Sequence, residues 1–117
     1  MDAGKGMKLY AIKHRDVGKE VAKLRYDEGR KEFHISISGD AKPSELPIYL
    51  ALHAKKGIYE VDGEHSLRWV RDRLVPPDRQ NIGQILKAKG LKYYDEHELL
   101  VKYQGRTTQD EFMIEEI

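Results

Sequence analysis

Val21-Ala22-Lys23-Leu24-Arg25-Tyr26-Asp27-Glu28-Gly29-Arg30-Lys31-Glu32-Phe33-His34-Ile35-Ser36-Ile37-Ser38 alternates between apolar and polar on both sides of a polar break. Ala22, Leu24 and Tyr26 fall on one face, with Lys23 and Arg25 on the other. Phe33, Ile35 and Ile37 then share a face, with Glu32, His34, Ser36 and Ser38 opposite. Period two is the spacing of a strand, so the segment reads as a hairpin. Glu28-Gly29-Arg30 supplies the reversal, with Gly29 expected to take the positive φ that costs other residues steric strain. One apolar and one wet face imply an antiparallel sheet covered on one side. Two strands are seldom stable alone, so this sheet needs a second layer.

The flanking sequence supplies that layer. Upstream, Leu9, Tyr10, Ala11 and Ile12 within Lys8–Lys13 are compatible with a further strand. Residues 1–6 are small and polar and read as a tail, with Met7 a candidate start. Downstream, Gly39–Pro43 reads as a loop. Ser44–Lys56 is ambiguous: Leu46, Leu50 and His53 favour a helix with Pro47 in its first turn and Gly57 as its stop, whereas Ile48-Tyr49-Leu50 alone would suit a strand. The helix is preferred. Ile58–Val61 reads as a short extended piece before an Asp62-Gly63 turn. Leu67, Val70 and Leu74 form a helical stripe that Pro76-Pro77 ends. Asp78 is the expected cap of the next helix, with Ile82, Ile85 and Leu86 as its stripe. Asp95 and Glu98 resemble a capping box for a helix carrying Leu99, Leu100 and Tyr103 and stopping at Gly105. Gln109–Ile117 alternates weakly, as a closing strand or a segment continuing into a partner. The expected architecture is one α+β domain over residues 7–117: a small antiparallel sheet packed with three or four short helices.

Composition narrows the function classes. The chain has 117 residues, with 21 basic against 20 acidic side chains, a formal charge of +1. That balance argues against whole-chain attraction to nucleic acid or membrane. No cysteine is present, which removes disulfides and thiol chemistry. No apolar run approaches the roughly 18 residues of a membrane span, and the first residues lack the apolar core of a signal peptide. The expectation is a soluble cytoplasmic protein. Residues 64–92 are mainly basic and residues 93–117 mainly acidic, so the two regions are expected to neutralise one another or to be solvated.

Several motifs suggest chemistry without carrying it. His14-Arg15-Asp16 resembles a kinase catalytic triplet, but the position five after the aspartate, where magnesium needs an asparagine, is Val21. Gly4-Lys5-Gly6 lacks the spacing of a phosphate loop. Of the five histidines, none is paired at i, i+4, and His97 between Glu96 and Glu98 reads as a surface residue. No nucleophile elbow is present. No catalytic residue, metal ligand or cofactor is therefore assigned. Residues 64–90 also admit a helix–turn–helix reading, in which Arg79, Gln80 and Asn81 would meet bases. The double proline and Asp78 weigh against it.

The most specific stretch is Trp69-Val70-Arg71-Asp72-Arg73-Leu74-Val75-Pro76-Pro77-Asp78-Arg79, followed by Ile82 and Leu86. Its Trp–Arg–Pro–Arg spacing resembles the small N-terminal module of HipA-like kinase proteins of Gram-positive bacteria. Ile12–Val17, Leu24–Glu28, Glu45–Pro47 and Gln109–Phe112 fit the same pattern more loosely. The Ile48–Gly57 stretch is longer than that pattern. The resemblance implies a module that contacts a kinase lobe or a DNA-binding antitoxin, or a separate inhibitory partner of the kinase. The kinase lobe that normally follows is missing, as in a freestanding homologue or a fragment.

The same residues have a physical reading of their own. Trp69 and Arg73 are four apart, so guanidinium can stack on indole. Arg79 lies where it could bridge back to the first helix or reach a partner. Trp69, Arg73 and Arg79 either build an internal corner, or Trp69 with Arg68 or Arg73 forms an exposed contact patch, tryptophan and arginine being prominent in binding hot spots. The leading expectation is a non-catalytic protein-interaction module with Trp69, Arg68, Arg73 and Arg79 as binding residues. The alternative is a nucleic-acid-binding domain using the basic corner 64–92.

Overall fold

A computed structural model describes residues 6–117. Five strands form one antiparallel sheet in the order β4-β3-β2-β1-β5. The strands are β1 (Met7–His14), β2 (Glu20–Asp27), β3 (Glu32–Ile37), β4 (Glu60–Val61) and β5 (Phe112–Glu116). The helices are α1 (Ile48–Lys55), α2 (Gly63–Arg71), α3 (Ile82–Ala88) and α4 (Glu96–Lys102). The α+β expectation holds, and Gln109–Ile117 supplies a closing strand beside β1. Residues 1–5 of the expected tail lie outside the described residues, while the carbonyl of Gly6 accepts the Glu28 N–H and so joins the fold. Among the described residues no helix is long and apolar enough to cross a membrane.

The alternation in sequence becomes one covered face. Leu24 lies between Tyr10 and Ile35, Tyr26 opposite Phe33, and Ile12 between Ala22 and Ile114. All of these side chains are buried in one cluster with Leu50, Val70, Leu99 and Leu100 from the helices. The opposite face carries Lys23, Arg25, His34 and Glu115 and is wet, as a one-sided sheet requires. Val21 is buried next to buried Ala22 because the register shifts there, Lys13 pairing with Glu20 instead of Val21. Such a bulge adds one residue and lets two neighbours point inward. Ser66 on α2 joins the layers. Its hydroxyl donates to the Val61 carbonyl and accepts from the Ile35 N–H, each at 3.0 Å.

Local chemistry differs from the sequence expectation at four places. The hairpin turns on Lys31 at φ 57°, not on Gly29. Asp27 Oδ1 accepts from the Gly29 and Arg30 amides and sets that turn from its own start. Asp62 is the cap of α2, its carboxylate accepting the His65 N–H at 2.8 Å. Asp78 is not the cap of α3: two successive turns, Arg79 N–H to Pro76 O and Ile82 N–H to Arg79 O, consume the chain first, and α3 starts after Asn81. His97 is buried, not on the surface, packed under the sheet against Tyr10 and Tyr26.

Asp95 does cap α4, accepting the Glu98 N–H at 2.9 Å, and the helix exits through Gln104 and Gly105 at positive φ. A Cβ on Gly105 would stand 3.1 Å from Ile114 Cγ2. Gly105→Ala is therefore expected to destabilise by more than about 1 kcal/mol. Thermal unfolding checks this, and an unchanged midpoint would contradict the backbone geometry at that exit.

Candidate functional site

α2 ends at Arg71 and tightens into turns, with the Arg73 N–H on the Val70 carbonyl and the Leu74 N–H on the Arg71 carbonyl, and Pro76-Pro77 then keep the chain from resuming a helix through Leu74–Asp78. The proline-stiffened elbow is thus present. Trp69 and Arg73 meet in it, the guanidinium carbon 4.6 Å from the indole centroid. They form the internal corner and not an exposed patch: Trp69 is 2% exposed and Arg73 9%. The exposed-patch alternative is overturned because Arg73 has internal acceptors for its guanidinium. Nε donates to the Gly105 carbonyl at 2.6 Å, Nη1 and Nη2 donate to the two Asp110 oxygens at 2.9 and 2.7 Å, and Nη2 also donates to the Phe112 carbonyl at 2.9 Å. A planar fork is the one side chain that serves such a set.

Burial alone would push the Asp110 carboxyl up. The Arg73 hydrogen bonds and the Phe112 N–H outweigh that and hold it below the ordinary carboxylate value. Arg71 pairs with Glu96 at 3.2 Å. The basic and acidic regions do neutralise each other at these two points. Arg79 does not join Trp69 and Arg73. It is exposed in the loop before α3, with no ion pair among the described residues. Arg68 is exposed on α2 and faces a different cleft, described below.

Beside the corner lies a cleft of about 260 Å3 whose walls include Pro47, Ile48, Tyr49, Trp69, Asp72 and Thr107. Two of these side chains carry buried polar atoms without a hydrogen-bond partner among the described residues, the Tyr49 hydroxyl and the Trp69 indole Nε1. Burial pushes the Tyr49 phenol up, which keeps it a protonated donor. A buried donor without an acceptor costs about 1–3 kcal/mol.

Ile48 also opens onto the outer side of α1. Inward, α1 buries Leu50, Ala51 and Ala54; outward, Ile48 is 81% exposed and Leu52 51%. The helix is apolar on both sides, unlike a surface helix with one wet face. Ile58 extends the apolar exposure along the second cleft.

That second cleft, about 380 Å3, lies between α1 and the start of α2 and is lined by Tyr49, His53, Lys56, Asp62, His65 and Arg68 among others. His53 and His65 have ring centroids 5.4 Å apart. Sequence spacing did not join them, since they lie on different helices. Neither Tyr49 nor Ile48 was singled out from the sequence; the usable signal was that residues 48–52 are apolar at positions that cannot all face one core. Comparison of the chain with protein-family models, with curated proteins and with solved structures returns no match.

Proposed function

We propose that the chain is a non-catalytic protein-interaction module, and that in the HipA-like setting suggested by Trp69–Arg79 it serves in the cytoplasm as an accessory or inhibitory partner docking on a kinase lobe. The observation that carries this is the outer side of α1. Ile48 and Leu52 are large, apolar and exposed one helical turn apart. Beside them, the Tyr49 and Trp69 donors lack acceptors in the adjoining cleft. An exposed apolar pair beside a cleft suits a protein surface that brings apolar side chains of its own. Trp69 and Arg73 act here from within, holding the corner on which the cleft is built. Arg68 and Arg79, both exposed, remain the candidates for rim contacts.

The alternative, nucleic-acid binding through the basic corner 64–92, has less to stand on. Arg73 is taken by Asp110 and Arg71 by Glu96, which removes two cations from that corner.

The test is direct binding to a purified HipA-like kinase lobe. Ile48→Asp with Leu52→Asp is expected to leave folding stability within about 0.5 kcal/mol, both sites being exposed. It is expected to weaken binding by about thirty-fold or more, the loss of one hot spot of about 2 kcal/mol. Val17→Asp, also at an exposed apolar residue but on the far turn after β1, should bind as the parent does. No binding by the parent chain, or equal binding by the double variant, would overturn the docking surface. A salt-dependent gel shift lost on Arg79→Ala would favour the nucleic-acid alternative instead.

A further inference from the structure

We propose that His53 and His65 form a two-imidazole site for a borderline divalent transition-metal ion such as Zn2+. His53 is on α1 and His65 in the first turn of α2, and both line the 380 Å3 cleft. Their rings stand 5.4 Å apart at an interplanar angle of 71°. Two imidazoles bound to one tetrahedral ion at Zn–N distances of 2.0–2.1 Å place their ring centroids roughly 5 Å apart. The observed separation meets that requirement.

The hydrogen bonds decide which nitrogen is available. His53 Nδ1 lies 3.0 Å from the Tyr49 carbonyl oxygen, and His65 Nδ1 lies 2.8 Å from Asp62 Oδ1. A carbonyl and a carboxylate only accept, so Nδ1 carries the proton in both rings. In the metal-binding form of each ring Nε2 is then the lone-pair nitrogen, and neither Nε2 has a partner among the described residues. An imidazole that donates one N–H to a carbonyl or carboxylate while offering the other nitrogen is the arrangement that orients metal-binding histidines. Asp62 is itself fixed, because it also accepts the His65 amide as the cap of α2. The Tyr49 ring packs edge-on against the His53 imidazole, with centroids 4.9 Å apart.

The charge around the pair is balanced. Lys56 and Arg68 line the cleft together with Glu60 and Asp62, so an entering cation meets no net positive lining. Glu60 is already held by His34 and Ser36, and among the described residues no set of three metal-binding side chains forms. The ion would therefore keep water in its remaining positions, which suits a metal with high affinity for imidazole and not one that requires an oxygen cage.

The experiment is a titration of the full chain with Zn2+, followed by calorimetry and by NMR of the imidazole nitrogens. One equivalent is expected to shift the Nε2 resonances of His53 and His65 while both Nδ1 atoms remain protonated. His53→Gln and His65→Gln should each weaken binding at least ten-fold. Asp62→Asn, which keeps the helix cap but not the carboxylate behind His65, should weaken it about ten-fold. His34→Gln, on the wet face of the sheet, should change nothing. The proposal is overturned if the parent chain's shifts fall on other histidines or on neither ring, or if the double His53/His65 variant binds Zn2+ as tightly as the parent. The NMR result on the parent chain decides the matter even where a variant is less stable.

Discussion

Arg73→Ala is expected to destabilise the fold by roughly 3–5 kcal/mol, the range for removing one partner of a buried ion pair. The cause is what it leaves behind. The Gly105 and Phe112 carbonyls lose a donor, Asp110 keeps only the Phe112 amide among its hydrogen bonds here, and the Trp69 indole loses the cation over its face. Arg73→Lys should recover only part of the loss, because one ammonium cannot reach acceptors spread over Gly105, Asp110 and Phe112. Asp110→Asn should cost less than Arg73→Ala, since its side chain is partly exposed and two of the four Arg73 bonds go elsewhere. Urea unfolding of the two single variants and the double variant gives the coupling. A loss below 1 kcal/mol for Arg73→Ala would show that the corner does not hold the C-terminal strand. The pH dependence has a definite sign. Asp110 titrates below its unfolded value, so its contribution is complete above about pH 4 and is lost as pH falls through the lower folded value. That acid loss should be absent from Asp110→Asn.

The parts legible in the sequence are those where one side chain's face decides its fate. Alternation in 21–38 set the hairpin, whereas of the expected Leu67, Val70 and Leu74 stripe only Val70 is both buried and within α2, whose buried side is completed by Ser66 and Trp69. The Trp69–Arg73 stack followed from spacing alone. What stayed hidden depends on long-range acceptors. The sequence left Arg73 between an internal corner and an exposed patch, because its acceptors on Gly105, Asp110 and Phe112 come from more than thirty positions away. Arg79 was placed with it by sequence proximity, yet two turns after Pro76 carry it outward. His53 and His65 belong to different helices, so no spacing rule joins them. His97 was misread from its charged neighbours Glu96 and Glu98. Its position three before Leu100 was the better guide, since i and i+3 share a helical face.

His97 sets the second large expectation. It is 7% exposed, its Nε2 lies 2.7 Å from the Tyr10 hydroxyl, and its ring stacks on Tyr26 with centroids 4.0 Å apart. Burial lowers its pKa, against the opposite pull of the Glu98, Asp95 and Glu28 carboxylates, while Lys8 adds to the lowering. Burial likewise pushes the Tyr10 phenol up to about 12, so the hydroxyl keeps its proton and donates to the neutral ring. A folded pKa below the unfolded value of about 6.5 means that the unfolded chain binds the extra proton first. The stability from neutral His97 is therefore complete above about pH 6.5 and declines as pH drops through the folded value, at up to about 1.4 kcal/mol per pH unit. His97→Ala should cost about 3 kcal/mol at pH 7.5, from the cavity under the sheet and the orphaned Tyr10 hydroxyl together. Tyr10→Phe with His97→Phe removes both polar partners while keeping two rings, and should restore most of that loss. The double variant should also be flatter between pH 7 and 5 than the parent. His14, His34, His53 and His65 remain in both proteins, so the difference between the two pH profiles isolates the buried imidazole. Parallel profiles would mean that His97 accepts its proton in the folded core as readily as in water, which neither the ring stack nor its near-complete burial allows.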